Sequence, residues 1–180
     1  MDKNQPEPIV LEIGAGPKSD AKYQIDVTQF PKTTHVLDVA LEPLPFEDNF
    51  FDEVWCSQVI EHIPVLIYYG GPELKDLKKR YARVELMKEI YRVLKPGGIL
   101  AVSTPVKFPY WAQDPTHVDV PFLGDTMEYF CGGWGANKSG DFAKDTYGID
   151  FAFQWVKREP DGFNEILIVK KPDYIKEPAE

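Results

Sequence analysis

Cysteine is scarce in this 180-residue chain: Cys56 and Cys131 are the only two. They stand far apart without metal-ligand spacing, so a disulfide scaffold and a thiolate metal site are excluded and no metal is expected. A reduced, cytoplasmic protein is the simplest reading. Positive charge is also short, with 20 Lys and Arg against 29 Asp and Glu and a net charge of −9. A chain this acidic repels phosphate backbones, which argues against nucleic acid as the main partner. Long apolar runs are missing: none approaches the length of a membrane span, and the polar start Met1-Asp2-Lys3-Asn4-Gln5-Pro6 leads into no apolar leader segment. There is no internal repeat. What remains suits one folded domain: 43% of residues are apolar, and the length is enough to bury a full core. Nothing sets the oligomeric state.

Short apolar runs at 9–13, 23–27, 35–39 and 54–57 read as buried strands, the second and third ending near Asp26 and Asp38. Leu74, Leu77, Tyr81, Val84, Met87, Tyr91 and Leu94 then recur every three or four residues, the stripe of an amphipathic helix. The basic cluster at 75–83 reads as that helix's wet face. Lys95-Pro96-Gly97-Gly98 ends the helix, and 99–103 is a fifth strand. The pair 151–156 and 165–169 flanks Pro160-Asp161-Gly162, an antiparallel hairpin. Between them, about 106–150 is rich in aromatics, glycine and proline, with a short helix expected at 124–130. An insertion after a strand's carboxyl end is where an α/β protein places substrate contacts. The polar tail at 172–180 reads as frayed.

The stretch Val10-Leu11-Glu12-Ile13-Gly14-Ala15-Gly16-Pro17 joins the first strand to a glycine loop. Such a loop lets a ligand lie against the backbone. It is not the dinucleotide fingerprint, because Ser19 stands where the third glycine would fall. Asp26 follows Gly16 by only ten residues, too few for a full crossover helix. The first crossover is therefore expected to be a loop or a single turn. Without a long helix dipole aimed at a pyrophosphate, NAD, FAD and ATP are disfavoured, leaving a ligand with a nucleoside and no phosphate.

Several ordered motifs then resemble one family. Leu11-Glu12-Ile13-Gly14-Ala15-Gly16-Pro17 is followed by Leu44-Pro45-Phe46-Glu47-Asp48-Asn49-Phe50-Phe51-Asp52 and Val59-Ile60-Glu61-His62-Ile63. Met87-Lys88-Glu89-Ile90-Tyr91-Arg92-Val93-Leu94-Lys95-Pro96-Gly97-Gly98 and Asp114-Pro115-Thr116-His117 complete the set. In this order the chain resembles a compact, type 11-like class I S-adenosylmethionine-dependent methyltransferase. The resemblance implies a single domain over 1–180 with a three-layer, Rossmann-like α/β sheet. That sheet is mostly parallel with an antiparallel C-terminal strand, and its first crossover helix is short or absent. It also implies S-adenosylmethionine as cofactor and S-adenosylhomocysteine as product; the acidic surface and the aromatic-rich insertion point to a small-molecule substrate.

Within that frame Asp26 is the candidate for the ribose diol, whose two donors one carboxylate can accept. Asp38 is the candidate for adenine N6, with the Val39 amide for N1. Main-chain groups at Gly14, Ala15 and Gly16, and the strand end at Cys56 and Ser57, are assigned to the methionyl end. Glu12 either holds the loop or meets the ligand's ammonium group. Asp26 and Asp38 each keep a second use as turn-capping acids. Asp52 reads as a strand start, Cys56 as a small buried hydrophobe and His35 as inert. His62 either shapes the pocket floor or acts in catalysis. His117 either orders a loop with Asp114 or serves as general base or substrate contact. Asp114, Tyr110 and Trp111 are further candidates for substrate contact. A module that binds the cofactor without turnover stands as the alternative function.

Overall fold

A seven-stranded sheet organises the computed structural model, which describes residues 6–107, 112, 114–117, 121–132 and 142–173. The strands in chain order are β1 (Val10–Ile13), β2 (Tyr23–Asp26), β3 (His35–Val36), β4 (Phe51–Ser57), β5 (Ile67–Gly70), β6 (Leu77–Arg80), β7 (Leu94–Pro105), β8 (Gln154–Asp161) and β9 (Asn164–Lys170). The main sheet runs β3-β2-β1-β4-β7-β9-β8, and β5 with β6 forms a separate hairpin. β3, β2, β1, β4 and β7 pair in parallel, while β9 is antiparallel to both neighbours. This is the mostly parallel α/β sheet expected from the sequence.

Register explains the core. Leu11 lies beside Val54, Val54 beside Leu100, and Leu100 beside Val169. The next row on that face is Ile13, Cys56, Val102 and Leu167, and all eight are buried. The helix α1 (Ala82–Val93) turns Arg83, Leu86, Met87, Ile90 and Val93 inward. The intervening row, Glu12, Trp55 and Ala101, lies on the other face, where Trp55 is exposed. There the loop between β1 and β2 replaces a crossover helix. Ser19 Oγ donates to Glu12, and Gln24 Nε2 donates to the Ser19 and Ala21 carbonyls. The short first crossover is thus pinned by polar side chains instead of apolar packing.

Four expectations need correction. The helix does not begin near Leu74. Residues 77–80 are β6, paired with β5 from Ile67↔Arg80 to Gly70↔Leu77, so the basic cluster lies partly on an exposed hairpin. Leu77 and Tyr81 keep helical spacing only because four residues also separate them along the strand and into the helix. The buried face is turned by one residue from the expected stripe, leaving Val84 and Tyr91 half-buried. The third strand stops at Val36 instead of reaching 39, because Asp38 takes the Ala40 amide on its carboxylate and the Leu41 and Glu42 amides on its carbonyl. The first hairpin strand begins and ends later than expected, at Gln154–Asp161, the second extends one residue at each end of 165–169, and Gly162 and Phe163 form the turn.

Past α1 the chain enters β7 through a bulge, with Phe51 opposite Leu94 and then Glu53 opposite Ile99. Gly97 has φ +78° there, and a Cβ on Gly98 would meet the Lys95 carbonyl at 2.8 Å. The buried Lys171 closes this end of α1 by donating to the Tyr91 and Leu94 carbonyls and to Asn49 Oδ1. Among the described residues no helix is long and apolar enough to cross a membrane.

Candidate active site

The chain leaves β1 for β2 and β3 on one side, and β4 and β7 lie on the other. The carboxyl ends of β1 and β4 therefore flank the point where strand order reverses, the general place for a ligand crevice in an open α/β sheet. A cavity of about 250 Å³ lies there. Ile13 and Gly14 border it after β1, Ile25, Asp26 and Val27 at the end of β2, Leu37 and Val39 after β3, and Gln58, Val59 and His62 after β4. Its wall is aliphatic with few polar groups, the usual make-up of a small-molecule site.

The glycine loop is braced before any ligand arrives. Gly14 has φ +66°, and an added Cβ would lie 2.1 Å from Val59 Cγ2. The Gly14 and Ala15 amides both donate to the Ile25 carbonyl, at 2.8 and 3.2 Å. These amides, assigned from sequence to a ligand's methionyl end, are therefore already engaged. The Gly16 amide donates to Asp26 Oδ2 at 3.0 Å, and the Thr28 amide to Asp26 Oδ1 at 2.9 Å. Asp26 thus caps its turn and also borders the cavity. A carboxylate accepting two bonds keeps further lone pairs for a diol.

The other candidates separate by position. Val39 borders the cavity, whereas Asp38 is absent from its lining and holds the turn at Ala40. Glu12 holds Ser19. Cys56 is buried on β4 with its thiol pushed up to about 12 by burial, and Ser57 is exposed. The cavity is bordered instead by Gln58 and Val59, which the sequence reading missed along with Val27 and Leu37. Gln58 has φ +55° and donates its amide to the Ser103 carbonyl, so the chain turns into the crevice one residue past β4. Nothing in its residue type announces that turn.

The two site histidines meet at the crevice. The rings of His62 and His117 lie 4.9 Å apart, nearly edge to face. Asp114 Oδ1 accepts from the Thr116 amide at 2.8 Å and the Thr116 hydroxyl at 2.6 Å, bonds that hold its carboxyl below the usual range. Thr116 in turn reaches His62 Nδ1 through its carbonyl and Oγ1, both at 3.1 Å. The motif Asp114-Pro115-Thr116-His117 therefore orders a loop and delivers His117 to His62. The neighbouring Glu61 is fully buried, and burial pushes its carboxyl up despite the two imidazoles nearby. Tyr110 and Trp111 lie outside the described residues.

Residues 13–102 match the family model described as "Methyltransferase domain". No curated protein matches the chain. Among solved structures, a putative methyltransferase from Bacillus halodurans superposes with a TM-score of 0.55 at 12% identity, covering 93% of this chain and 94% of that one. A SAM-dependent methyltransferase from Archaeoglobus fulgidus gives 0.54 at 16% identity, covering 90% and 85%. The 1,6-didemethyltoxoflavin-N1-methyltransferase of Burkholderia thailandensis, solved with 1,6-didemethyltoxoflavin and S-adenosylhomocysteine, also gives 0.54, at 12% identity and covering 92% and 72%. With the matched segment running from the end of β1 into β7 and enclosing the crevice, the chain belongs to the methyltransferase-domain family.

Proposed function

We propose that this protein transfers a methyl group from S-adenosylmethionine to a small molecule. The observation that carries the reading is the cavity at the strand-order reversal, where Asp26 stands among aliphatic walls beside a pre-braced glycine loop. Asp26 accepts the ribose diol, and Val39, Leu37 and Val27 flank the base. The S-adenosylhomocysteine bound together with 1,6-didemethyltoxoflavin in the Burkholderia enzyme supports this choice of ligand. The negative net charge supports a small acceptor over a nucleic acid. So does a second cavity of about 270 Å³ bordered by Tyr81, Phe122, Tyr129, Phe130 and Tyr147, aromatic side chains that suit a ring-bearing molecule.

Displacement at a sulfonium needs the nucleophile held in line with the methyl carbon, and such positioning supplies about 7–11 kcal/mol. A hydroxyl or amine acceptor must also lose a proton; His117 or His62 is the base of this reading, worth about 10²–10⁴-fold. A carboxylate acceptor needs no base. Calorimetry with S-adenosylhomocysteine tests the reading: saturable binding is expected, and none at millimolar ligand overturns it. Asp26→Ala is expected to weaken that binding by about 1–3 kcal/mol. An unchanged affinity moves the ribose role to another residue.

A further inference from the structure

We infer that Glu61, His62 and His117 form a binding site for one divalent transition-metal ion of the zinc class. One ligating atom from each of the three lies within 4.8 Å of the other two. Tetrahedral zinc with bonds near 2.1 Å sets its donors about 3.4 Å apart, so side-chain adjustments of about 1 Å close the site. Two imidazoles and one carboxylate make a ligand set that suits zinc and disfavours magnesium and calcium, which take oxygen.

Two independent observations point to a cation. Glu61 is fully buried, and its Oε1 has no hydrogen-bond partner among the described residues. Its carboxyl is otherwise met by the Glu61 backbone amide and by a long contact, 3.4 Å, from the Thr104 hydroxyl to Oε2. A buried carboxyl oxygen left without a partner is costly unless a cation or proton sits against it. The second observation is the orientation of His62. The Thr116 hydroxyl gives its proton to Asp114, so both its oxygen and the Thr116 carbonyl can only accept from His62 Nδ1. Nδ1 therefore carries the hydrogen, and Nε2 keeps the lone pair a metal needs. A ring N–H bonded to a carbonyl is the usual outer support of a metal-ligating histidine.

Because His62 borders the crevice, a position left open on the ion can be filled by an oxygen of the methyl acceptor. This role rests on the proposed methyl transfer. The acceptor is then a hydroxyl compound, and the ion replaces the histidines as the group that favours loss of its proton. The binding site itself stands apart from that reading.

Chelator-treated full-length protein titrated with Zn²⁺ in a calorimeter tests the site, with S-adenosylhomocysteine titrated into the same preparation. One zinc per chain is expected. Glu61→Gln and His117→Ala, each checked for folding by circular dichroism, are expected to weaken zinc binding at least tenfold. No stoichiometric uptake overturns the site, as does His117→Ala binding zinc like the parent. Zinc failure with S-adenosylhomocysteine still bound removes the metal and keeps the methyl donor. The reverse result keeps the metal site and removes the donor.

Discussion

Gly14 is the residue at which the crevice is least tolerant. Its φ of +66° lies in the left-handed region, and the space a Cβ would need is taken by Val59 Cγ2 at 2.1 Å. Gly14→Ala is expected to cost at least the 1–2 kcal/mol of left-handed backbone, about that much again if Val59 moves, and to lower the melting temperature accordingly. Thermal unfolding checks it, and an unshifted melt shows that the loop has another conformation open to it. Asp26 was legible from sequence because it is the acid that ends a strand ten residues past the loop. Val27, Leu37 and Val59 were not. Aliphatic side chains have the same composition whether they face a core or a cavity, and only the ends of neighbouring strands decide which.

Elements fared differently according to what fixes them. The parallel strands were legible because burial leaves short apolar runs between turn residues. The start of α1 was not, since β6 adds Leu77 to the helical spacing while pairing with β5. The far end of α1 depends on a residue distant in sequence. Lys171 donates from a buried position to the Tyr91 and Leu94 carbonyls and to Asn49, and burial pulls its ammonium below the usual lysine range. Lys171→Met keeps the length of the side chain and removes these donors. We expect a loss of about 1.5–3 kcal/mol, read as a lower urea midpoint at unchanged slope. A midpoint equal to the parent's would mean that water satisfies those carbonyls.

Over the whole molecule, acid stability follows from where the carboxylates sit. Asp52 joins three strands: its oxygens take the Lys95 ammonium at 2.8 Å on β7 and the Ile9 amide at 2.8 Å just before β1, from its own place on β4. The Lys95 bond first, and the Ile9 bond next, hold its carboxyl below the ordinary value. A carboxylate lowered in the folded state adds stability above its unfolded pKa, near 3.9, and loses it as pH falls toward the folded value. Asp52→Asn is therefore expected to be less stable than the parent by about 1 kcal/mol at neutral pH, a figure reduced for solvent exposure. The gap should close below about pH 4 in urea titrations across pH. A gap constant down to pH 2 would assign the loss to packing instead of charge.

By itself the sequence determined the sheet's core strands, the glycine loop, the short crossover and the family, because each is written in local composition, spacing and order. Tertiary structure decided which polar groups were already engaged. It turned the Gly14 and Ala15 amides to Ile25, Asp38 to Ala40 and Glu12 to Ser19. It also joined His117 to Glu61 and His62 across more than fifty residues. Hydrogen bonds and ligand sets are satisfied in space, so residues far apart in the chain become partners only when the strands that carry them are laid side by side.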